Sequence, residues 1–255
     1  MIKGLFKTIV PKRVLDPLKL LIRGADPDSD EFTYDRDGLR TIHNCDFIAE
    51  PAFERAYRTG RDLDSWFGGD LEWRVHTLFW GATRGLELEG DFVECGVHRG
   101  GFSKAVIEYT GFGRIPDKRF FLLDSFEGMS AEHLNNAELE NELLNYPYQG
   151  NYDLVVNKFA EYSNVVVIKG RIPEALCQVE SEKIAFLSID LNNALPEIAA
   201  AEYFWEKLVS GAAMILDDYG WKKHIVQKHA FDEFAGRKGV PILSLPTGQG
   251  LIIKP

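Results

Sequence analysis

This chain of 255 residues has little cysteine, no long hydrophobic run and no excess of basic charge. Its three cysteines, Cys45, Cys95 and Cys177, are scattered without metal-binding or disulfide spacing. That excludes a disulfide scaffold and a cysteine-ligated zinc site, and it fits a reducing cytoplasm. No apolar run approaches the ~18 residues that cross a bilayer, so no transmembrane helix is expected. Asp and Glu number 39 against 29 Lys and Arg, a net charge of −10. A nucleic-acid binder needs a basic face for phosphates, and that class is excluded too. Two nucleotide loops are also missing, the Gly-x-Gly-x-x-Gly dinucleotide turn and the Gly-x-x-x-x-Gly-Lys-Ser/Thr phosphate loop. Ser103-Lys104 stands in the wrong order for the latter. No repeat or low-complexity segment is visible.

What is present is an ordinary globular composition, 45% hydrophobic and 27% charged, long enough for one well-buried α/β domain with an elaboration. Continuous apolar runs at Phe92–Glu94, Phe120–Asp124, Val165–Lys169, Ile184–Asp190 and Ala212–Asp217 read as strands of a parallel sheet buried on both faces. A helix is expected from Pro196 to Leu208. Pro241–Leu245 and Gly250–Lys254, around Pro246-Thr247-Gly248-Gln249, read as a terminal hairpin giving an antiparallel edge. The predicted fold is α/β: Rossmann-like and doubly wound, with a mostly parallel seven-stranded sheet, an antiparallel C-terminal hairpin and an N-terminal helical lid.

The most telling stretch joins the first two of these strands. Phe92-Val93-Glu94 leads into the turn Cys95-Gly96-Val97-His98-Arg99-Gly100-Gly101, a helical segment follows, and Phe120–Leu123 ends in Asp124. In parallel sheets ligands bind outside the C-terminal strand ends, and a carboxylate closing the second strand can accept hydrogen bonds from a ribose diol. The pattern therefore predicts an adenosine-containing cofactor. Glu94 opens the turn, and its negative charge would repel a pyrophosphate but suit the amino group of an S-adenosylmethionine tail. The expected cofactor-binding set is Glu94, Cys95, Gly96, Gly100, Ser103, Asp124, Ser125 and Arg171, with Cys95 a small residue packed beneath the cofactor. Three other acids, Asp190, Asp217 and Asp218, end neighbouring strands and form the all-oxygen set that Mg²⁺ prefers.

Gly90-Asp91-Phe92-Val93-Glu94-Cys95-Gly96-Val97, Leu123-Asp124-Ser125-Phe126-Glu127-Gly128 and Leu216-Asp217-Asp218-Tyr219-Gly220 resemble the macrocin O-methyltransferase family, over roughly Arg36 to the C-terminus. The resemblance implies a class I, S-adenosylmethionine-dependent enzyme. Several members methylate sugar hydroxyls with a divalent metal, and Asp190, Asp217 and Asp218 would be the metal ligands. The chain departs from the family at Asp190-Leu191-Asn192-Asn193, where many relatives carry a second acid at the position of Asn192. That removes one negative charge and alters the acceptor pocket.

The expected activity is O-methylation of a hydroxyl on a sugar or glycosylated small molecule, assisted by Mg²⁺ or another divalent cation. Asp190 is the first candidate for the base and His224 the second. Two rival readings are a catalytically silent methyltransferase-like assembly protein and an NAD-dependent sugar-modifying enzyme. Asn192 alone hints at the former, and Glu94 with the missing third glycine disfavours the latter.

Residues 1–35 are expected to form a basic arm and linker, 36–88 a helical elaboration or lid, and 89–255 the cofactor domain. Lys3, Lys7, Lys12, Arg13, Lys19 and Arg23 against Asp16 give residues 1–24 a charge of +5. Apolar residues between them would allow peripheral contact with an anionic membrane. The plainer reading is an arm packed on its own domain, or on a second subunit in a homo-oligomer. The polar stretch 130–152 is expected to pass over the strand tips.

Overall fold

The computed structural model describes residues 32–129 and 148–255. The basic segment 1–24, the acidic connector after it and most of the 130–152 excursion lie outside the described residues. Among the described residues, no helix is long and apolar enough to cross a membrane.

One compact unit ends at Asp46 and the other runs from Phe47 to Pro255. In the first, strands β1 (Tyr34–Arg36) and β2 (Leu39–Thr41) pair antiparallel around Asp37-Gly38. Both turn residues have positive φ, 51° and 72°. This two-residue Asp-Gly turn matches the twist of a hairpin, and it makes strands of residues around the expected start of the helical lid.

The second unit holds a seven-stranded sheet in the order β5-β4-β3-β6-β7-β9-β8. Its strands are β3 (Asp91–Cys95), β4 (Phe120–Asp124), β5 (Val165–Lys169), β6 (Ile184–Ile189), β7 (Leu208–Leu216), β8 (Leu243–Ser244) and β9 (Gly250–Ile253). Strands β3 to β7 run parallel, while β9 pairs antiparallel with both β7 and β8. The expected sheet and C-terminal hairpin are thus both present. The chain leaves β3 on one side for β4 and β5, then returns to β6 on the other. That reversal opens a crevice at the strand tips, where ligands bind in open α/β sheets.

Successive side chains of a strand point to opposite faces, and the core follows this period. Phe92, Phe120, Leu122, Phe186, Ala213 and Ile215 pack on one face under α1 (Pro51–Arg61), α2 (Glu72–Leu86) and α3 (Gly101–Thr110). Val93, Phe121, Leu123, Leu187 and Met214 pack on the other, beneath α5 (Ala194–Trp205) and α6 (Ile225–Lys238). A further helix, α4 (Tyr152–Phe159), leads into β5.

Helix α2 belongs to the sheet-covering layer. A Cβ on Gly81 would stand 2.9 Å from Ile215 Cδ1 and 3.0 Å from Phe186 Cε2; one on Gly85 would stand 2.9 Å from Phe92 Cε1. These two glycines let the helix backbone approach the sheet. Arg74, Leu78, Gly81 and Gly85 are spaced i, i+4, i+7, i+11, which is one helical face. Gly85 lies near the start of β3, and Arg74 bonds Asp217 just after β7. The helix therefore runs opposite to the strands and carries Arg74 to the ligand-binding end.

Candidate active site

Gly96 follows β3 with φ +91°, and a Cβ there would lie 1.8 Å from the Asp190 carbonyl oxygen. Only glycine allows both that backbone conformation and that approach of two chain segments. The turn then folds back onto Asp124 at the tip of β4. Asp124 Oδ2 accepts from the Val97 and His98 N–H groups at 2.7 and 2.8 Å, and Oδ1 accepts from Phe126 N at 2.7 Å. One carboxylate thus holds the glycine turn and its own loop in register while also lining the cleft.

The predicted cofactor residues separate into two layers. Gly96, Asp124, Ser125 and Arg171 line one cleft. Glu94, Cys95, Gly100 and Ser103 lie outside its lining; Glu94, Cys95 and Ser103 are buried behind it. Ser103 donates a hydrogen bond to Glu94 Oε2. Burial pushes the Glu94 carboxyl well above the usual carboxylate range, and the charges of Asp124 and Asp217 push it further. A charged Glu94 facing the ligand, as the sequence argument supposed, is replaced by a buried carboxyl that joins β3 to α3. Burial likewise raises the Cys95 thiol, which suits its packing role.

Residues 62–71, between α1 and α2, lie against the glycine turn. Ser65 Oγ accepts from Gly101 N at 2.8 Å, Ser65 O stands 3.1 Å from His98 Nδ1, and Asp64 pairs with Arg99 at 2.7 Å. Tyr57 Oη fixes the far end of the loop by accepting from Leu71 N at 2.8 Å. Phe67 and His98 both adopt positive φ, 50° and 52°. Their rings stack at 5.2 Å and meet Tyr148 edge-on, which builds an aromatic wall on the cleft.

The other end of the cleft is acidic. Asp190, Asp217 and Asp218 all line it, as does Arg74. Asn192 Nδ2 donates to Asp190 Oδ1 at 3.0 Å. Burial raises the Asp190 carboxyl well above its ordinary range, Asp217 and Asp218 add to that, and Arg74 opposes it. Arg74 bonds Asp217 Oδ2 through Nη1, which also stands 3.8 Å from Asp218 Oδ1. The guanidinium lies 4.7 Å from the centre of the Trp221 ring. Asp217 Oδ1 accepts from the buried Gln249 Nε2 at 2.9 Å. Asp218 Oδ2 is buried without a hydrogen-bond donor and lies 3.9 Å from His224 Nδ1.

His224 is not part of the cleft lining. Its Nδ1 lies 2.6 Å from Gln227 Oε1; Gln227 Nε2 donates to Glu197 Oε1 at 3.1 Å, and that oxygen also accepts from Leu191 N at 3.1 Å. A buried polar chain thus ties His224 to the loop that carries Asp190 and Asn192. Arg74, Glu197, Gln227 and Gln249 escape sequence reasoning. Only Arg74 leaves a trace, a lone charge in the apolar stripe of α2.

Do the three acids fit a divalent ion? A carboxylate oxygen can accept a hydrogen bond and still bind an ion, so the neighbouring cation decides the fit. The Arg74 guanidinium bonds Asp217 Oδ2 and stands 3.8 Å from Asp218 Oδ1, so a positive charge already lies against both acids and would repel a divalent ion there. Among the described residues no three or more His, Cys, Asp and Glu side chains are arranged as a metal-binding group. As arranged, this set does not fit the ion, and the cation among the acids is a guanidinium.

A glycine turn after the central strand, an acid ending the next and a crevice at the reversal of strand order define a Rossmann-like, cofactor-binding fold. Solved methyltransferases share the fold. The O-methyltransferase NovP superposes with a TM-score of 0.59 at 19% identity, over 71% of this chain and 79% of that one. The calicheamicin methyltransferase CalS11 gives 0.61 at 15%, over 89% and 98%; its apo structure, described as a TDP-rhamnose 3′-O-methyltransferase, gives 0.51 at 16%, over 83% and 96%. An O-methyltransferase from Bacillus cereus in complex with SAH gives 0.53 at 12%, over 80% and 91%. No curated protein sequence matches the chain. The chain belongs to the macrocin-O-methyltransferase (TylF) family, whose sequence model matches residues 83–242. It is an S-adenosylmethionine-dependent O-methyltransferase.

Proposed function

We propose that this chain methylates a hydroxyl of a sugar or a glycosylated small molecule, with residues 89–255 holding the cofactor and residues 62–74 helping to shape the acceptor side. The observation that carries this reading is one continuous cleft. It joins Gly96, Asp124, Ser125 and Arg171 at one end to Asp190, Asp217 and Asp218 at the other. The acidic, hydrogen-bonding end suits a hydroxyl-rich acceptor, and the aromatic wall of Phe67, His98 and Tyr148 suits the apolar face of a sugar ring. CalS11, described as acting on TDP-rhamnose, is a sugar-modifying enzyme of the same fold.

When bound, S-adenosylmethionine supplies a methyl group activated by its sulfonium. The protein's part is to place the acceptor oxygen in line with that methyl and to take its proton. Asp124, held by three backbone N–H groups at the tip of β4, is the residue that would accept from the cofactor's ribose diol. Asp190, which lines the cleft and accepts from Asn192 Nδ2, takes the hydroxyl proton in its ionised form; burial and the Asp217 and Asp218 charges strengthen its hold on that proton, and Arg74 opposes them. His224, placed behind Asp218 and bonded to Gln227, braces the acid pair instead of receiving the proton.

Calorimetric titration of S-adenosylmethionine, with NAD alongside and Asp124→Ala as control, tests the cofactor site. Micromolar binding that the variant loses is the expected result. Turnover is then screened on a panel of glycosides and their aglycones. Methylation of aglycones alone would overturn the sugar reading, and a folded protein that binds NAD but not S-adenosylmethionine would overturn the cofactor reading.

A further inference from the structure

The acidic end of the cleft contains a positive charge that belongs to the fold. Arg74 is 8% exposed, and a guanidinium so buried is costly unless it is paired and hydrogen-bonded. Here it is: it bonds Asp217, approaches Asp218 to 3.8 Å and lies over Trp221 at 4.7 Å. Nor is its position incidental. The close contacts at Gly81 and Gly85 fix the depth of α2, and the helical spacing of 7 residues from Gly81 sets Arg74 over the strand tips. Gln249 donates to the remaining Asp217 oxygen, and Asn192 meets Asp190 with an amide donor.

We propose that Arg74 is the resident cation of this site: it takes the place a divalent ion would hold between Asp217 and Asp218, and methyl transfer by this chain needs no bound metal. The ground is the guanidinium itself, buried and seated against both carboxylates. Arg74 is a positioning residue, holding the acid pair in the geometry in which the acceptor meets Asp190. An Arg suits this better than a Lys, because its planar fork binds carboxylates while its face stacks on an aromatic ring. The proposal rests on reading this end of the cleft as the acceptor side of the methyltransferase site.

The test uses the full chain, freed of metal with a chelator and saturated with S-adenosylhomocysteine. Free Mn²⁺ is followed by electron paramagnetic resonance during titration, and S-adenosylhomocysteine binding is measured in parallel by calorimetry. The wild type and Arg74→Lys are expected to leave the Mn²⁺ signal unchanged. Arg74→Leu is expected to bind Mn²⁺ at least about tenfold more tightly, because three acids lose the cation that repelled the ion. Adding Asp217→Asn to Arg74→Leu should abolish that binding. Wild-type protein that takes up Mn²⁺ as tightly as Arg74→Leu overturns the proposal, and so does an Arg74→Leu variant that binds none. If Arg74→Leu no longer binds S-adenosylhomocysteine, Arg74→Gln, which keeps length and hydrogen bonding without charge, gives the same decision. Failure of the wild type to bind S-adenosylhomocysteine would instead overturn the methyltransferase reading.

Discussion

Replacing Glu197 with Gln should remove a large pH dependence from the stability of this protein. Glu197 is 3% exposed on α5, between Gln227 and the backbone of the Asp190 loop. Burial pushes its carboxyl up from 4.5 to about 8, with the Asp218 charge adding to the push and hydrogen bonds from Gln227, Leu191 and Asn193 opposing it. The folded pKa stands above the unfolded one, so over this interval the native state binds the proton more tightly than the unfolded chain. Stability is then fully present below about pH 4.5 and declines as pH rises toward about 8. At about 1.4 kcal/mol per pH unit, the whole interval corresponds to an upper bound of about 5 kcal/mol. Gln carries no charge to bury, but its amide adds a donor, which costs about 1–3 kcal/mol if it finds no acceptor. The net expectation is a variant similar to wild type or slightly weaker near pH 5, and more stable by roughly 2–4 kcal/mol near pH 8. Urea unfolding of both proteins across this range isolates Glu197, because every other group titrates in both. A stability difference that stays constant with pH, or that favours wild type more as pH rises, refutes the reasoning.

Two further substitutions probe the fold that positions the site. Gly96→Ala places a methyl in a left-handed conformation against the Asp190 carbonyl. It should cost about 3 kcal/mol or more, from αL strain of about 1–2 kcal/mol plus displacement of the turn, and abolish S-adenosylmethionine binding; thermal melting and calorimetry with no change in either would refute the close approach. Asn164→Ala removes one amide that donates to Phe112 O, Ile115 O and Lys118 O at 3.0, 2.9 and 3.1 Å and thereby holds the segment leading into β4. A loss of about 2–3 kcal/mol is expected from carbonyls left without a donor, measured as a lower urea midpoint, and a loss under about 0.5 kcal/mol would contradict it.

The sequence by itself determined the sheet and the ends of its strands. Parallel strands buried on both faces must be continuously apolar, and the turns that follow them must carry the glycines and acids that face a ligand. Phe120–Asp124 and Val165–Lys169 are strands over the expected residues, and Gly96, Asp124, Asp190, Asp217 and Asp218 share one cleft. The Asp37-Gly38 hairpin was not among the expected elements, although a two-residue Asp-Gly turn is a local signal for one. Only the tertiary structure decided what each carboxyl faces. Glu94 and Asp124 end neighbouring strands, yet one is buried behind the turn and the other lines the cleft, because side-chain direction depends on strand register and on the path of the turn. Arg74 and Asp217 are 143 residues apart, and Glu197 and Gln227 sit on different helices. Charges meet across such distances only once the layers have packed, so their pairing, and the choice between a metal and a guanidinium among the acids, is a property of the folded chain.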